Sequence, residues 1–501
     1  MSDNTARPVL IGVGQASRRP PAPLTSPQEL LRAAATQALQ DTYAPAAVAQ
    51  AVDAVLVVRT MLDSVPGAPQ PLGRCANPPG TLSADLGLKA AVQAYSVVGG
   101  DQPQALVAEA AERVTSGDAR AVLIAGAEAT ASLKQALKGV DAPDWSRSVE
   151  ATFEDRGLGP SLISPHELRH GWGAPVDTYP VFEHALRSRL DLSPADWRTR
   201  TARLWSRFSD VAATHRHAAF PQPRSPDFLG SESADNYRLA DPYLKWDVAQ
   251  DAVDQGAAVI VTSAGEAQAL GVPASRWVYL HAHAAAVDAH VIDRADLSRS
   301  RIVDATLATA FARAGTGPDA VRHWDLYSCF PSVVLLAMEA LGLAPDGPAP
   351  TVTGGLPFFG GPGNTYSLHA IATMVDRLRA EPDATGAVLA NGGYLSKAAV
   401  GIYSARPGSP WRAEAIAPTG AGSPGLAAAP AEARLLAWSI GWTKGAPTRG
   451  WTLGECADGR RILGRVRSDD LARIADMFDQ ADPLGRPVRF AQDGDRTVLA
   501  I

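Results

Sequence analysis

The chain has 501 residues, of which 46% are hydrophobic and 20% charged, with 46 Lys and Arg against 52 Asp and Glu for a net charge of -6. At roughly 150 residues per domain it holds about three domains, and its composition excludes a largely disordered chain. A mildly acidic balance argues against a phosphate-backbone ligand, so no nucleic-acid partner is expected.

No apolar run approaches the ~20 residues that a membrane-spanning helix needs. Met1–Pro8 is polar and runs straight into a strand-like segment, without a basic-then-apolar signal pattern. A cytoplasmic location without membrane attachment is therefore the expectation. Three cysteines with no CxxC exclude a disulfide framework and a cysteine zinc site.

The first element is the strand Val9–Gly14. The helix that follows is announced by Ser26 as its cap, Pro27 in its first turn and Glu29 completing a capping box. Leu30, Leu31, Ala34 and Leu39 mark its apolar face. Ala54–Val58 is a second strand. Val92–Val98 reads as a strand, Gly99–Gln102 as a tight turn, and Pro103 opens an alanine-rich helix to about Val114. Gly117-Asp118 breaks that helix before the strand Ala121–Gly126. Strand, turn, buried helix, strand is the βαβ pattern of a covered parallel sheet.

From about Ser132 to Pro242 the texture changes to charges, Trp and His, with a helix over Pro194–His215. This reads as an insertion between sheet strands, which resume at Ala257–Val261. A second half then repeats the order of the first: strand Trp277–Ala282, helix Val303–Ala314, strand Asp325–Tyr327 and helix Val333–Leu341. A glycine-rich loop at Gly354–Gly363, a helix over Ser367–Ala380 and strands Val388–Gly392 and Ala399–Tyr403 complete it. Matching order implies an internal duplication.

Pro407–Pro430 reads as a linker into a third region. There Ala433–Trp442, Gly459–Val466, Val488–Ala491 and Thr497–Ile501 read as strands, Asp470–Met477 as a helix, and Asp458-Gly459 and Asp493-Gly494 as hairpin turns. A small β-barrel or open sheet is expected. Residues 412–501 carry 12 Lys and Arg against 11 Asp and Glu, a balance that again argues against a nucleic-acid ligand.

Several motifs resemble one family. Leu106–Glu128, with Ser116-Gly117-Asp118 and Ala121–Glu128, is similar to the N-terminal half of thiolases. Asp325-Leu326-Tyr327-Ser328-Cys329-Phe330, followed by Glu339–Leu343, looks like the second-half motif of the sterol-carrier-protein type thiolases. Gly354–Pro362 sits where thiolases carry a Gly-His-Pro loop, and Ala390–Gly393 where they carry a Cys-x-Gly loop. Tyr179–Glu183, Tyr327–Ser332 and Phe358–Asn364 resemble a subgroup, the thiolase-like proteins type 1, which carry an additional C-terminal domain. The resemblance covers about residues 8–404.

The resemblance implies a duplicated five-layer α/β/α/β/α thiolase fold with an inserted loop domain covering a coenzyme A channel. It implies domains at 1–275 (with the insertion at about 132–242), 276–408 and a β-rich domain at 409–501. In thiolases a cysteine at a buried helix N-terminus takes the acyl group, where the helix end stabilises the thiolate. An oxyanion hole polarises the thioester and a second cysteine moves a proton. The motif alignment places these groups at Gly99, Gly361, Ala390 and Tyr327, so the usual catalytic side chains are missing from the pattern. Acyl-cysteine chemistry is not expected.

Substitute chemistry falls on three candidates. Cys329 lies in the turn before a helix; its alternative reading is an inert buried filler. Tyr327 stands where relatives place a polar catalytic group, with Tyr394 as a possible partner; the alternative is a packed tyrosine. His369 follows the glycine-rich loop and points either into the site or into the core. Binding of a thioester is expected from Gly99, Gly100, Gly354, Gly355, Gly360, Gly361, Asn364, Asn391, Gly392 and Gly393, where glycines permit close backbone approach. Lys245, Arg187, Arg189, Arg198 and Arg203 are candidates for CoA phosphates, against the commoner solvated helix face. His166, His170 and His184 read as packing or surface histidines. His281 and His283 share a strand face, but no third ligand is evident, so no metal is expected. Cys75 and Cys456 read as structural.

Three functions remain open: an acyl-CoA enzyme of the acyltransferase family with non-standard groups, a non-catalytic CoA or acyl-CoA binding protein, and a retro-aldolase on a β-hydroxyacyl-CoA using Tyr327. The expected partner is acyl-CoA or CoA, with coenzyme A entering as part of the substrate and no separate cofactor. The chain is expected to be a monomer or a homodimer.

Overall fold

The computed structural model describes residues 5–19, 22–408, 410, 411 and 422–500. It opens with β1 (Pro8–Arg18), β2 (Val52–Val57), β3 (Val92–Tyr95) and β4 (Ala121–Ala129), interleaved with helices α1 (Pro27–Asp41), α2 (Pro78–Asp85) and α3 (Gln102–Ser116). The inserted stretch adds the short strands β5 (Glu154–Asp155), β6 (Arg238–Ala240) and β7 (Tyr243–Leu244) and the helices α4 (Pro180–Arg189) and α5 (Pro194–Thr214), before β8 (Asp254–Ser263) returns to the sheet. The second half contains β9 (Val278–Val287), α6 (Arg301–Ala314), β10 (Val321–Leu326), α7 (Pro331–Ala340), α8 (Tyr366–Ala380), β11 (Thr385–Gly392) and β12 (Lys397–Ser404).

The duplication is visible in the strand order. The first half runs β3-β2-β4-β8-β1 and the second β10-β11-β12-β9, with β1 and β9 meeting at Val9–Tyr279 and Leu10–Val278. In each half the strands nearest the far edge are parallel and the last ones antiparallel. Among the described residues the second half has no regular strand to match β3. Pro350–Thr353 takes that place: the Leu326 amide donates to the Pro350 carbonyl, and the Asp325 carboxylate accepts from Thr351, Val352 and Thr353.

Helices α3 and α8 each pack on strands of both halves, while α1 covers β1, β8 and β4 from outside and α6 covers β9 and β12. The result is the five-layer arrangement. Small side chains suit α3 to its place between two sheets: Ala108, Ala110 and Ala111 are buried beside Leu106 and Val107. The capping box of α1 forms as expected, with Ser26 Oγ accepting from the Glu29 amide and the Glu29 carboxylate accepting from the Ser26 amide. The strand expected over Val92–Val98 ends at Tyr95. Beyond it the chain turns to the insertion, where the Val98 amide donates to the Leu158 carbonyl.

The third region forms β13 (Ala431–Thr443), β14 (Ala446–Glu455), β15 (Arg461–Arg465), α9 (Leu471–Gln480), β16 (Pro487–Asp493) and β17 (Arg496–Ala500). Strands β13, β14, β15, β17 and β16 close into a ring, because β14 also pairs with β13, and β6 and β7 extend it from the insertion. This is the small barrel the pattern predicts. Strand β14 was not predicted. It is tied to β13 by a two-residue turn at Lys444-Gly445, both at positive φ, which the flanking strands' twist favours. Part of the expected linker, residues 412–421, and the terminal Ile501 lie outside the described residues.

Charged side chains hold the barrel to the body. Arg187 forms two bonds to Asp482 at 2.6 and 2.8 Å, and Arg449 contacts Asp177. Arg461 donates to the carbonyls of Ile292, Arg294 and Ala295. His184 stacks on Trp438 with ring centroids 3.8 Å apart. Among the described residues no helix is long and apolar enough to cross a membrane.

Candidate functional site

The chain leaves β3 through Gly99-Gly100-Asp101 and enters α3. A helix start presents unpaired N–H groups and the positive end of the dipole, a favourable place for an anion. Here the chain supplies its own. The Asp101 carboxylate lies where a side chain at Gly99 or at Gly392 would have to stand, since a Cβ at either position would overlap Asp101 Oδ1. Asp101 Oδ2 accepts from Gln102 Nε2 at 2.8 Å, and Oδ1 is buried with no hydrogen-bond partner. Burial raises the Asp101 pKa, and the ammonium of Lys397 opposes that rise. Lys397 Nζ donates to the Val98 carbonyl at 2.8 Å and would lie 3.4 Å from a Cβ at Gly99.

Tyr327 closes the other side. A Cβ at Gly100 would overlap the Tyr327 hydroxyl and approach the Asn391 carbonyl oxygen to 2.5 Å. Tyr327 stands one residue past β10 because its amide donates to the Leu389 carbonyl of β11. Burial, then the neighbouring Cys329 and Asp101, push its phenol well above the ordinary range, so it stays protonated. It meets Tyr366 edge-on at 5.5 Å.

Asn391 links this wall to Cys329. Its Nδ2 donates to the Tyr179 hydroxyl at 3.0 Å and lies 3.8 Å from Cys329 Sγ. Tyr179 in turn donates to the Gly393 carbonyl, accepts from the Leu395 amide and stacks on Phe330 at 4.1 Å. Burial pushes the Cys329 thiol up to about 12. Such a thiol carries almost no thiolate near neutral pH and is a poor nucleophile. Gly99, Gly100, Tyr327, Cys329, Asn391 and Gly392 thus share one buried neighbourhood.

His369 does not join them. It sits two residues after Ser367, whose hydroxyl donates to the Gly100 carbonyl, and side chains two apart on a helix point to opposite sides. His369 Nδ1 instead pairs with Gln15 Oε1 at 2.8 Å, and its ring packs on Phe359. Burial lowers its pKa well below the usual value, with His217 and His215 adding to the effect. Tyr394 is also elsewhere engaged, donating to the Gly173 carbonyl at 2.6 Å.

The glycine-rich loop departs from its expected role. Its close approaches are to the chain itself. A Cβ at Gly354 would come within 2.5 Å of the Ala212 backbone in α5, and one at Gly355 within 2.6 Å of Phe208. A Cβ at Gly360 would come within 2.6 Å of Gln255 and one at Gly361 within 3.1 Å of Ala249, while one at Gly393 would overlap Leu162 of the insertion. Asn364 donates to the Arg59 carbonyl at 2.8 Å and to Ser64. Phe208 and Ala212 of the insertion thus pack directly on Gly354 and Gly355, and Gln255 of β8 lies against Gly360.

The arginines considered for CoA phosphates are mostly committed to internal acids: Arg187 to Asp482, Arg189 to Glu339 and Arg198 to Asp247. Lys245 lies over the rings of Trp246 and Tyr237. Among the described residues no group of His, Cys, Asp and Glu could hold a metal ion.

Sequence reading missed Asp101, Lys397 and Tyr179 as site residues. Two signals were present: a lysine at the head of the otherwise apolar strand Lys397–Tyr403, and the Tyr179–Glu183 motif itself.

Three further carboxylates are buried in the core. Burial raises Glu128 to about 8, Glu183 to about 7 and Asp325 to about 6. A carboxyl whose folded pKa is raised binds more protons folded than unfolded, so stability falls as pH climbs from the ordinary value toward the raised one. Glu128 accepts from the Met61 amide at 2.8 Å, a bond that glutamine keeps. Glu128→Gln therefore flattens the loss of stability between about pH 4.5 and 8. Urea midpoints measured across that range check it: the variant declines less steeply than the wild type, the remaining slope coming from groups such as Glu183 and Asp325.

No family model matches the chain, and no curated protein matches it. Among solved structures it is similar to a monomeric SCP2-thiolase-like protein type 1 from Mycobacterium smegmatis, with 32% identity over 99% of each chain and a TM-score of 0.81. An Ltp2-ChsH2(DUF35) aldolase has 17% identity and a TM-score of 0.59, over 80% of this chain and 99% of that one. An acetyl-CoA acetyltransferase from Syntrophomonas wolfei has 14% identity and a TM-score of 0.56 over the same shares. The last two share the fold alone. With the order of its duplicated sheets, its barrel and near-complete coverage at 32% identity, the chain belongs to the SCP2-thiolase-like proteins type 1.

Proposed function

We propose that this chain binds a CoA thioester without passing the acyl group to a cysteine. The carrying observation is the Gly99-Gly100 pair before α3: a Cβ at Gly99, the aligned nucleophile position, would overlap the Asp101 carboxylate, and one at Gly100 would overlap the Tyr327 hydroxyl and the Asn391 carbonyl. Cys329, the thiol of this neighbourhood, is held protonated by burial. Acetyl-CoA belongs to the name of one structural neighbour, and the shared fold supports a ligand of that class here.

Calorimetric titration with CoA, acetyl-CoA and a β-oxoacyl-CoA, with released CoA and intact protein mass followed in parallel, tests this reading. Saturable heat, no CoA release and no mass gain are expected. An acyl adduct on Cys329 overturns it, and so does the absence of binding by all three ligands.

One observation favours a second reading, retro-aldol cleavage of a β-hydroxyacyl-CoA. A phenol kept protonated and a buried carboxylate oxygen without a partner, Tyr327 and Asp101 Oδ1, flank the head of α3. In such a cleavage Asp101 Oδ1 takes the β-hydroxyl proton as the Cα–Cβ bond breaks, the Tyr327 hydroxyl donates a hydrogen bond to the thioester oxygen where enolate charge develops, and the proton returns to Cα to give the acyl-CoA and an aldehyde or ketone. Release of an aldehyde or ketone by the wild type, lost in Tyr327→Phe with ligand binding retained, would establish it.

A further inference from the structure

A cavity of about 440 Å³ lies between the barrel, α4 and the segment Ala295–Ser298. That volume is in the range of small-ligand sites. Its walls come from three parts of the chain, and one side chain fixes two of them. Arg461 of β15 is buried and donates to the carbonyls of Ile292, Arg294 and Ala295, holding the segment against the barrel. Val181, Leu297, Leu436 and Leu484 supply an apolar lining.

Charge around the cavity is uneven. Arg189, Arg434 and Arg461 line it, and Arg299 joins Arg189 on Glu339 just behind. Against these four guanidinium groups stand Glu339, Asp296 and Glu455. Asp296 is occupied by the amide and hydroxyl of Ser298. Arg434 faces Glu455 directly across β13 and β14, yet among the described residues its side chain has neither an ion pair nor a hydrogen bond. An unpaired guanidinium at the rim of a partly apolar cavity matches an oxyanion on a hydrocarbon body.

We propose that this cavity is a binding site for a small organic anion, one carboxylate or phosphate on a short apolar chain, distinct from the neighbourhood of Tyr327 and Asn391. Arg434 receives the oxyanion and Leu297, Leu436 and Leu484 receive the chain. The ligand bridges barrel and body.

Calorimetry on the full chain with hexyl phosphate, hexanoate and inorganic phosphate tests the site. Hexyl phosphate or hexanoate binds saturably, and which of them binds tighter tells phosphate from carboxylate. Arg434→Gln weakens binding by about tenfold, the value of one lost charge-assisted hydrogen bond. Ser188→Trp, at an exposed position on the cavity wall, fills the space and abolishes binding while thermal unfolding stays as in the wild type. The proposal is overturned if neither organic anion binds, if both variants bind like the wild type, or if inorganic phosphate binds as tightly as hexyl phosphate.

Discussion

Placing a thiol beside the head of α3 by Gly100→Cys, one residue past the aligned nucleophile position Gly99, yields no acyl-transfer activity and lowers stability by about 1–3 kcal/mol, the usual cost of forcing atoms into a filled core. The new Cβ meets two obstacles of different stiffness. The Tyr327 hydroxyl is a group that another substitution removes, whereas the Asn391 oxygen belongs to β11 and is fixed by the sheet. Tyr327→Phe in the same chain, which removes the overlapping hydroxyl and keeps the packed ring, therefore recovers part of the lost stability and not all of it. Urea unfolding of the single and double variants, with an acetyl-CoA thiolysis assay alongside, checks the expectation. A Gly100→Cys protein as stable as the wild type would show that the neighbourhood yields easily and that packing does not require glycine there.

Lys397→Met lowers stability by about 1–3 kcal/mol, because it leaves the Val98 carbonyl without its donor and removes the cation that opposes the raised pKa of buried Asp101. The loss depends on pH in a definite direction. Asp101 already has a raised pKa from burial, and removing Lys397 takes away what opposes the rise. The folded protein then binds a proton that the unfolded chain releases, so the deficit grows as pH rises above the ordinary Asp range and shrinks below it. Asp101→Asn in the Lys397→Met background removes the pH-dependent part of the loss, since no carboxylate is then buried, and leaves the part due to the Val98 carbonyl. A double-mutant cycle read by urea unfolding at pH 5 and pH 8 gives the coupling. Equal losses at both values would separate the lysine's role from the carboxylate.

The fold was legible where local chemistry and periodicity agree. Ser26, Pro27 and Glu29 announce α1 through a cap that needs only neighbours in sequence. Gly459 and Gly494 mark turns of the barrel by the backbone conformation they adopt. Strand β14 was harder, because Gly450, Gly454 and Pro447 dilute its strand character and its pairing with both β13 and β15 supplies the stability.

The candidate site was legible in its members and not in its grouping. Tyr327, Cys329 and Asn391 come together because β10 and β11 are adjacent and parallel. His369 is close to them along the motif map but faces away, a matter of helical phase that depends on where α8 begins. The glycine loop looked like a ligand platform because glycines permit any close approach. Only the placement of Phe208, Ala212 and Leu162 shows that the approaching atoms are protein.

The short strand β5 has a wider consequence. Paired beside β3 at Glu154 and Asp155, it covers what would be the open margin of the first half of the sheet, and Arg59 clasps Asp155 from within. An uncovered strand margin invites a second chain to add on. Seven residues further along, the same stretch sets Leu162 over Gly393. Guarding the sheet against self-addition and covering Gly393 are thus duties of one continuous segment, so a change that moves Leu162 off Gly393 also pulls on the guard.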